Sequence, residues 1–389
     1  MKRFLPLAIS CMTALSVFSV PLEAHELLTD ISQQTKPATI KIRLENGVES
    51  ALLEVKGSYQ VCDPDSDLQI TSGLLSKRSK LIPQEEGIKW KETFKGIYQM
   101  RIVPLDSKTS ILVNGIQYRG CIEIYQIQGK LHIVNEIDVE NYLKSTLTTQ
   151  FPKAPDKNVM DAIAIVARTN AYHFTLRNAH VFWHADAKEV GYQGYGITLQ
   201  NLHVDRAVEA TRYMVLTYKD TPFAATWTQD SAGITASFPQ IFRKDVVAPQ
   251  GVQLPVMVKE RENHAWSFTL RKEELAKIVK ASEITGIDLF QDPHSGKVYA
   301  VRIKERSSSR DIDFFNLQTA IGKNRLRSND FTVALKADAI IFTGFGSGHG
   351  VGLCLHSATL MARQGEKAQK ILSTFFPDTQ LENRRTGTR

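Results

Sequence analysis

Between Ala38 and Tyr125, apolar and polar residues alternate in short runs, as in Thr39-Ile40-Lys41-Ile42-Arg43-Leu44 and Ile111-Leu112-Val113-Asn114-Gly115-Ile116. Period-two alternation rich in β-branched residues predicts strands, and the Asn46-Gly47 and Asn114-Gly115 pairs predict turns between them. The run from Gln126 to Val134, with Gln128-Gly129 at its centre, predicts a further hairpin. At Asn135 the period changes. Val139, Tyr142, Leu143, Thr146, Leu147 and Gln150 recur at helical spacing behind Asp138 as N-cap, and Pro152 stops that helix. A second helix is predicted over about 157–176, capped by Asp156, with a stripe of Val159, Ile163, Val166, Ala167, Asn170 and Phe174. Gln150 is the polar member of the first stripe, at the helix's C-terminal end, and must either find a partner or line a cavity.

Beyond Val181 the pattern is mixed. Residues 214–218 and 222–227 predict strands joined by a Lys219-Asp220-Thr221 turn, and Asp230 to Thr235 reads as a loop of small residues. Residues 245–336 have the look of an inserted lobe, with a helix from Glu273 to Ala281 and a strand from Val298 to Lys304. Glycine then falls at every second position from Gly344 to Gly352, predicting a strand with one bare face, and a helix is expected to start near Leu353. Backbone N–H groups beside the single imidazole of that stretch, His349, would suit a polar ligand; a tightly packed strand-to-helix turn without chemistry is the other reading. Taken together the elements predict an α+β protein, mostly antiparallel sheet with packed helices and an inserted lobe.

The first residues change the picture of where the protein works. Lys2 and Arg3 precede an apolar run from Phe4 to Val20, and small residues follow near Ala24, the order of a secretory signal peptide. The expected organisation is a signal peptide over 1–24, a β-rich region over 25–117 and a second region over 118–389 holding the lobe, in an exported protein that resides in the periplasm or cell envelope. An uncleaved leader would act as a membrane anchor; no later segment is long and apolar enough to span a bilayer. Loss of residues 1–24 removes two cations and one anion, Lys2, Arg3 and Glu23, and takes the net charge from +7 to +6. That mild excess suits an anionic polymer, and solubility accounts for it equally. No dense basic and aromatic array argues for nucleic acid. Cys62, Cys121 and Cys354 remain, an odd number that forces no disulfide framework. Without a CxxC pair or a Cys/His cluster at ligand spacing, neither a metal nor a cofactor is expected.

Several motifs now fall in order. They are Tyr118-Arg119-Gly120, Val134-Asn135-Glu136, Glu140-Asn141-Tyr142-Leu143-Lys144, the run from Asp161 to Ala171 that includes Arg168, and Asp230 to Thr235 with Ser231 and Gly233. Leu326 to Phe331 follows, then Gly348-His349-Gly350-Val351-Gly352 and Ser357-Ala358. In this order they resemble the SpoIID/LytB proteins, the stage II sporulation protein D and amidase-enhancer family, across about residues 118–381. The final glycine and histidine signature is the most specific part.

The resemblance implies peptidoglycan glycan strands as the substrate class. Enzymatic members are lytic transglycosylases, in which one glutamic acid protonates the glycosidic oxygen and then serves as base on the sugar's 6-hydroxyl, giving a 1,6-anhydro ring. Such an acid needs a partly apolar pocket that keeps it protonated. The family's acid falls here on Gln150, and an amide cannot carry a proton through that cycle, although it can hydrogen-bond a sugar. Three readings stay open: catalysis with another carboxyl, Glu140 or Glu136; glycan binding without cleavage; or stimulation of a cell-wall amidase as partner. The resemblance further implies catalytic or site roles for Gln150, Glu140 and His349, and substrate-binding roles for Arg168, Ser231, Gly233, Gly348 and Gly350. Trp227, Tyr192 and Tyr195 are candidates to stack on sugar rings, and His356, close to the helix start, is expected chiefly to pack.

Overall fold

A computed structural model of the protein describes residues 38–195 and 200–384. The leader expected over 1–24 lies outside the described residues. The chain opens on strands Thr39–Val48 (β1), Ala51–Lys56 (β2), Tyr59–Cys62 (β3), Gln69–Gly73 (β4), Lys77–Gln84 (β5), Gly87–Trp90 (β6), Glu92–Lys95 (β7), Gln99–Pro104 (β8), Ser110–Val113 (β9), Ile116–Tyr118 (β10), Cys121–Ile127 (β11) and Lys130–Asp138 (β12). Helices Val139–Gln150 (α1) and Lys157–Arg177 (α2) follow, then the two-residue strand Ala185–Asp186 (β13) and helices Ala187–Val190 (α3) and Leu202–Ala210 (α4). The architecture is α+β with mostly antiparallel pairing.

Two sheets build the first half. One has the order β13-β1-β12-β11-β8-β3-β4, the other β10-β9-β2-β5-β6-β7. Because β8 pairs with β11, the boundary drawn near residue 118 runs through a single sheet. The inward positions of these strands and the stripes of α1 and α2 share one apolar core, from Ile40 and Leu53 to Leu143, Ile163 and Val166. A second apolar cluster, including Trp266, Leu275, Val301, Phe314 and Phe342, gathers within residues 266–342.

The turn chemistry is legible at two of three sites. Asn114-Gly115 turns β9 into β10, and Gln128-Gly129 turns β11 into β12, each pair with positive φ at both residues, as a two-residue hairpin of the favoured hand requires. Asn46-Gly47 does not turn the chain. It lies inside β1, where the register against β12 shifts between Glu45 and Val48, so the pair makes a bulge.

Both predicted helices form with their predicted caps. The Asp138 carboxylate accepts from the Asn141 N–H, and that of Asp156 from the Asn158 N–H. The glycine-spaced segment departs from expectation. The strand there, Ala339–Phe345, ends before most of the glycines, and Gly346, Gly348, Gly350 and Gly352 all take positive φ. Alternate left-handed residues cannot extend a ladder, so the segment folds as a tight ribbon, and the helix after it begins at Leu355 rather than Leu353. Among the described residues, no helix is long and apolar enough to cross a bilayer.

Candidate functional site

The end of α1 and the glycine ribbon do converge. A cavity of about 640 Å³ is lined by Tyr142, Leu147, Gln150, Trp227, Phe242 and His349, among others. Gln150 is the last residue of α1 and stands exposed in that wall. Beside it, Gly191 closes α3 with φ 68°, and a side chain there would press on the Gln150 amide. The stripe that buries Leu143 and Leu147 thus delivers a polar tip into open space, as the position of Gln150 in the period predicted. Trp227 packs on Phe151 and keeps a partly open ring in the cavity wall, the arrangement a sugar face needs for stacking.

His349 is held rather than free. Its Nδ1 accepts from the Val351 N–H at 3.2 Å, so the proton sits on Nε2, and the ring also bonds the Trp227 backbone. Burial pushes its pKa down to about 4, partly countered by the bond to the Trp227 backbone. The ring is therefore neutral at neutral pH, with both nitrogens engaged, and stacks edge-on against Phe242. It ties the glycine ribbon to the Trp227 segment in the cavity wall.

Glu140 and Arg168 are corrected by the structure. Arg168 is fully buried, and Glu140 nearly so. Arg168 Nε donates to Glu140 Oε1 at 2.8 Å and Nη2 to Oε2 at 2.6 Å, a bidentate pair. Its remaining donors reach the Val208 and Met214 carbonyls and the Thr211 hydroxyl. Every guanidinium N–H is used inside the protein, which joins α1, α2, α4 and the strand Met214–Tyr218. Neither residue lines the cavity. Glu140 is thus spent on this internal pair, away from the cavity. Glu136 is likewise engaged, by Arg101 and by the Thr39 hydroxyl on the face of the first sheet.

The other expected binding residues form a support behind the wall. Ser231 is buried; its carbonyl accepts from Lys297 Nζ at 3.2 Å and its N–H donates to Cys354 Sγ at 3.3 Å. Lys297 is itself enclosed and paired with Asp330 at 3.0 Å, and a Cβ on Gly350 would overlap its side chain. Gly348 packs on the Thr228 side chain, and Gly233 against the backbone of Val258. None of the four is in the cavity wall. Tyr192 is core, its hydroxyl donating to Asn135 Oδ1 at 2.7 Å. Tyr195 lies under Arg119, and His356 stacks edge-on with His264, whose Nδ1 is 2.6 Å from Asp230. Cys62, Cys121 and Cys354 are free thiols. Among the described residues no group of three or more His, Cys, Asp or Glu is placed to hold a metal.

Sequence reasoning missed the charged groups that do face the cavity. They are Glu189 on α3, Arg177 at the end of α2, Lys244 and Lys323. Glu189 accepts from Lys244 Nζ at 3.2 Å. Glu189 and Lys244 sit on short irregular elements with no periodic signal, and Arg177 closes its helix just beyond the predicted end.

Comparison with known proteins bears on the same elements. The family described as "SpoIID: Stage II sporulation protein" matches residues 127–218, which hold α1 to α4. An uncharacterized protein of Brachyspira hyodysenteriae is 28% identical over 342 residues, covering 87% of this chain and 91% of its own. The stage II sporulation protein D of Bacillus subtilis is 23% identical over 266 residues, 64% of this chain and 75% of its own. The amidase enhancer of the same organism is 22% identical over 343 residues, 72% of this chain, which spans about half (46%) of that relative's length. The chain carries a SpoIID segment and is similar to the sporulation and amidase-enhancer proteins beyond it. The SpoIID segment contributes Gln150, Arg177 and Glu189 to the cavity, while Lys244, Lys323 and His349 come from later residues.

Proposed function

We propose that this is an exported, peptidoglycan-directed protein whose cavity holds a glycan strand without cutting it, in the manner of a binder that assists a cell-wall amidase. The observation that carries this reading is the fate of the carboxyls. The position of the family's acid is Gln150, in the cavity wall, and the two carboxyls expected from sequence to replace it, Glu140 and Glu136, are committed to ion pairs elsewhere. The likeness to a protein named amidase enhancer supports the partner half of the reading. Trp227 would stack on a sugar ring, and the Gln150 amide would bond a hydroxyl or acetamido group. The leader expected over 1–24 supports export.

The test uses the mature protein. It should sediment with insoluble murein, speed a cognate amidase, and release no 1,6-anhydromuramyl product from peptide-free glycan strands by mass spectrometry. Loss of both murein binding and amidase stimulation would sink the proposal.

Lytic-transglycosylase cleavage is the second reading, favoured by one observation: Glu189 is a carboxyl in the cavity wall. If the protein does release anhydro products, Glu189→Gln should lower their rate by roughly 10²–10⁴-fold, the usual contribution of a general acid.

A further inference from the structure

We infer that the cavity selects acidic glycans, with Arg177 and Lys323 as the specificity-determining residues that pair with carboxylates on the strand; this rests on the glycan-binding reading above. Five basic side chains line the cavity: His173, Arg177, Lys244, Lys323 and His349. Three are already accounted for. His349 is neutral and held by the backbone. Lys244 is bonded to Glu189. The pKa of His173 is lowered by burial, which keeps its ring neutral near pH 7, and the ring bonds the Pro222 backbone. Arg177 and Lys323 have no hydrogen-bond or ion-pair partner among the described residues, and both are exposed.

The two approach from different walls. Arg177 closes α2, and Lys323 lies just after the helix Phe314–Ile321. Two unpaired cations facing one concave space repel each other and focus a positive potential there. A neutral sugar would leave both charges unanswered. A carboxylate answers them, since the guanidinium fork grips it in two-point fashion and the ammonium adds a point charge. In a strand of alternating N-acetylglucosamine and N-acetylmuramic acid, the lactyl carboxylate of the muramic acid is that group. Arg168, the cation expected from sequence to meet it, is locked in the core. The charge-reading task falls instead to a residue nine positions later on the same helix.

Three probes separate the outcomes by calorimetric titration at low salt. They are a peptide-free glucosaminyl–muramyl tetrasaccharide, the same tetrasaccharide with its carboxylates converted to amides, and chitotetraose. The acidic form should bind about tenfold tighter than the amidated one, and the preference should fade with added salt. In Arg177→Gln/Lys323→Gln, the affinity ratio of acidic to amidated probe should drop to about one, with the fold checked by circular dichroism. Equal affinity of the wild type for both forms would overturn charge selection and leave glycan binding standing. A tenfold preference that persists in the double variant would overturn the assignment to these two residues. No binding of any probe would remove the glycan reading itself, and charge selection with it.

Discussion

Residue chemistry decides which groups can act here. Arg168 has no spare donor, so removing its partner strands a buried charge. Glu140→Gln should cost about 3–5 kcal/mol in urea unfolding, whereas Glu140→Leu/Arg168→Met should cost far less than the two single changes together, because no charge is left behind. A near-additive double variant would contradict the pairing. The pH dependence follows from His349. Its pKa falls from 6.5 unfolded to about 4 folded, so the folded protein binds this proton less readily. The stability it contributes is fully present above pH 6.5 and is lost as pH drops through 6.5 toward 4, at up to ~1.4 kcal/mol per pH unit. His184 shifts the same way, also to about 4, through burial and the nearby Lys41 charge. Unfolding curves at pH 7 and pH 4.5 should therefore show a loss that His349→Gln reduces by roughly one proton's worth; an unchanged slope in that variant would show that His349 does not titrate with folding.

At the scale of elements, α1 and α2 were legible because each combines a 3.6-residue stripe with a capping aspartate and a defined stop, and both signals are local. Replacing the cap, Asp138→Ala, should cost about 1 kcal/mol of stability, and a larger loss would mean that the carboxylate does more than cap. The glycine ribbon was legible in position and not in form. Alternate glycines allow an extended strand and equally allow alternate left-handed turns; what selects the second is the close approach of Thr228, Lys297 and the Thr226 carbonyl, which come from distant parts of the chain. Gly350 is the sharpest case, with φ 64° and no room for a Cβ beside Lys297. That lysine cannot swing away, being enclosed and bonded to Asp330 and to the Ser231 carbonyl. Gly350→Ala should lower stability by about 2–4 kcal/mol, combining a strained dihedral with overpacking. A melting temperature equal to the parent's would show that the ribbon yields easily.

Across the whole molecule, the site is a meeting of one helix end with a ribbon nearly two hundred residues downstream, and that meeting was anticipated from the motifs; its charges were not. Arg168 was visible as a cation in a recognisable helix, but sequence cannot tell a guanidinium aimed inward from one aimed at a ligand, while Arg177, Lys244, Lys323 and Glu189 carry no pattern that marks them as neighbours. One substitution tests what the assembled cavity lacks. Gln150→Glu places a carboxyl on a wall that also holds Leu143, Leu147, Phe174 and Phe242. Apolar neighbours favour the protonated acid, whereas Arg177 and Lys323 favour the carboxylate; the two effects oppose, and the protonated fraction that an acid step needs grows as pH falls, so the new group should work best below neutral pH. If the cavity is a glycan site missing only its acid, the variant should release 1,6-anhydromuramyl products from peptide-free strands at least about 10²-fold faster than the parent, and faster at pH 5 than at pH 7.5. Intact murein binding with no gain in product at either pH would mean that the geometry around residue 150 has been given over to holding the strand.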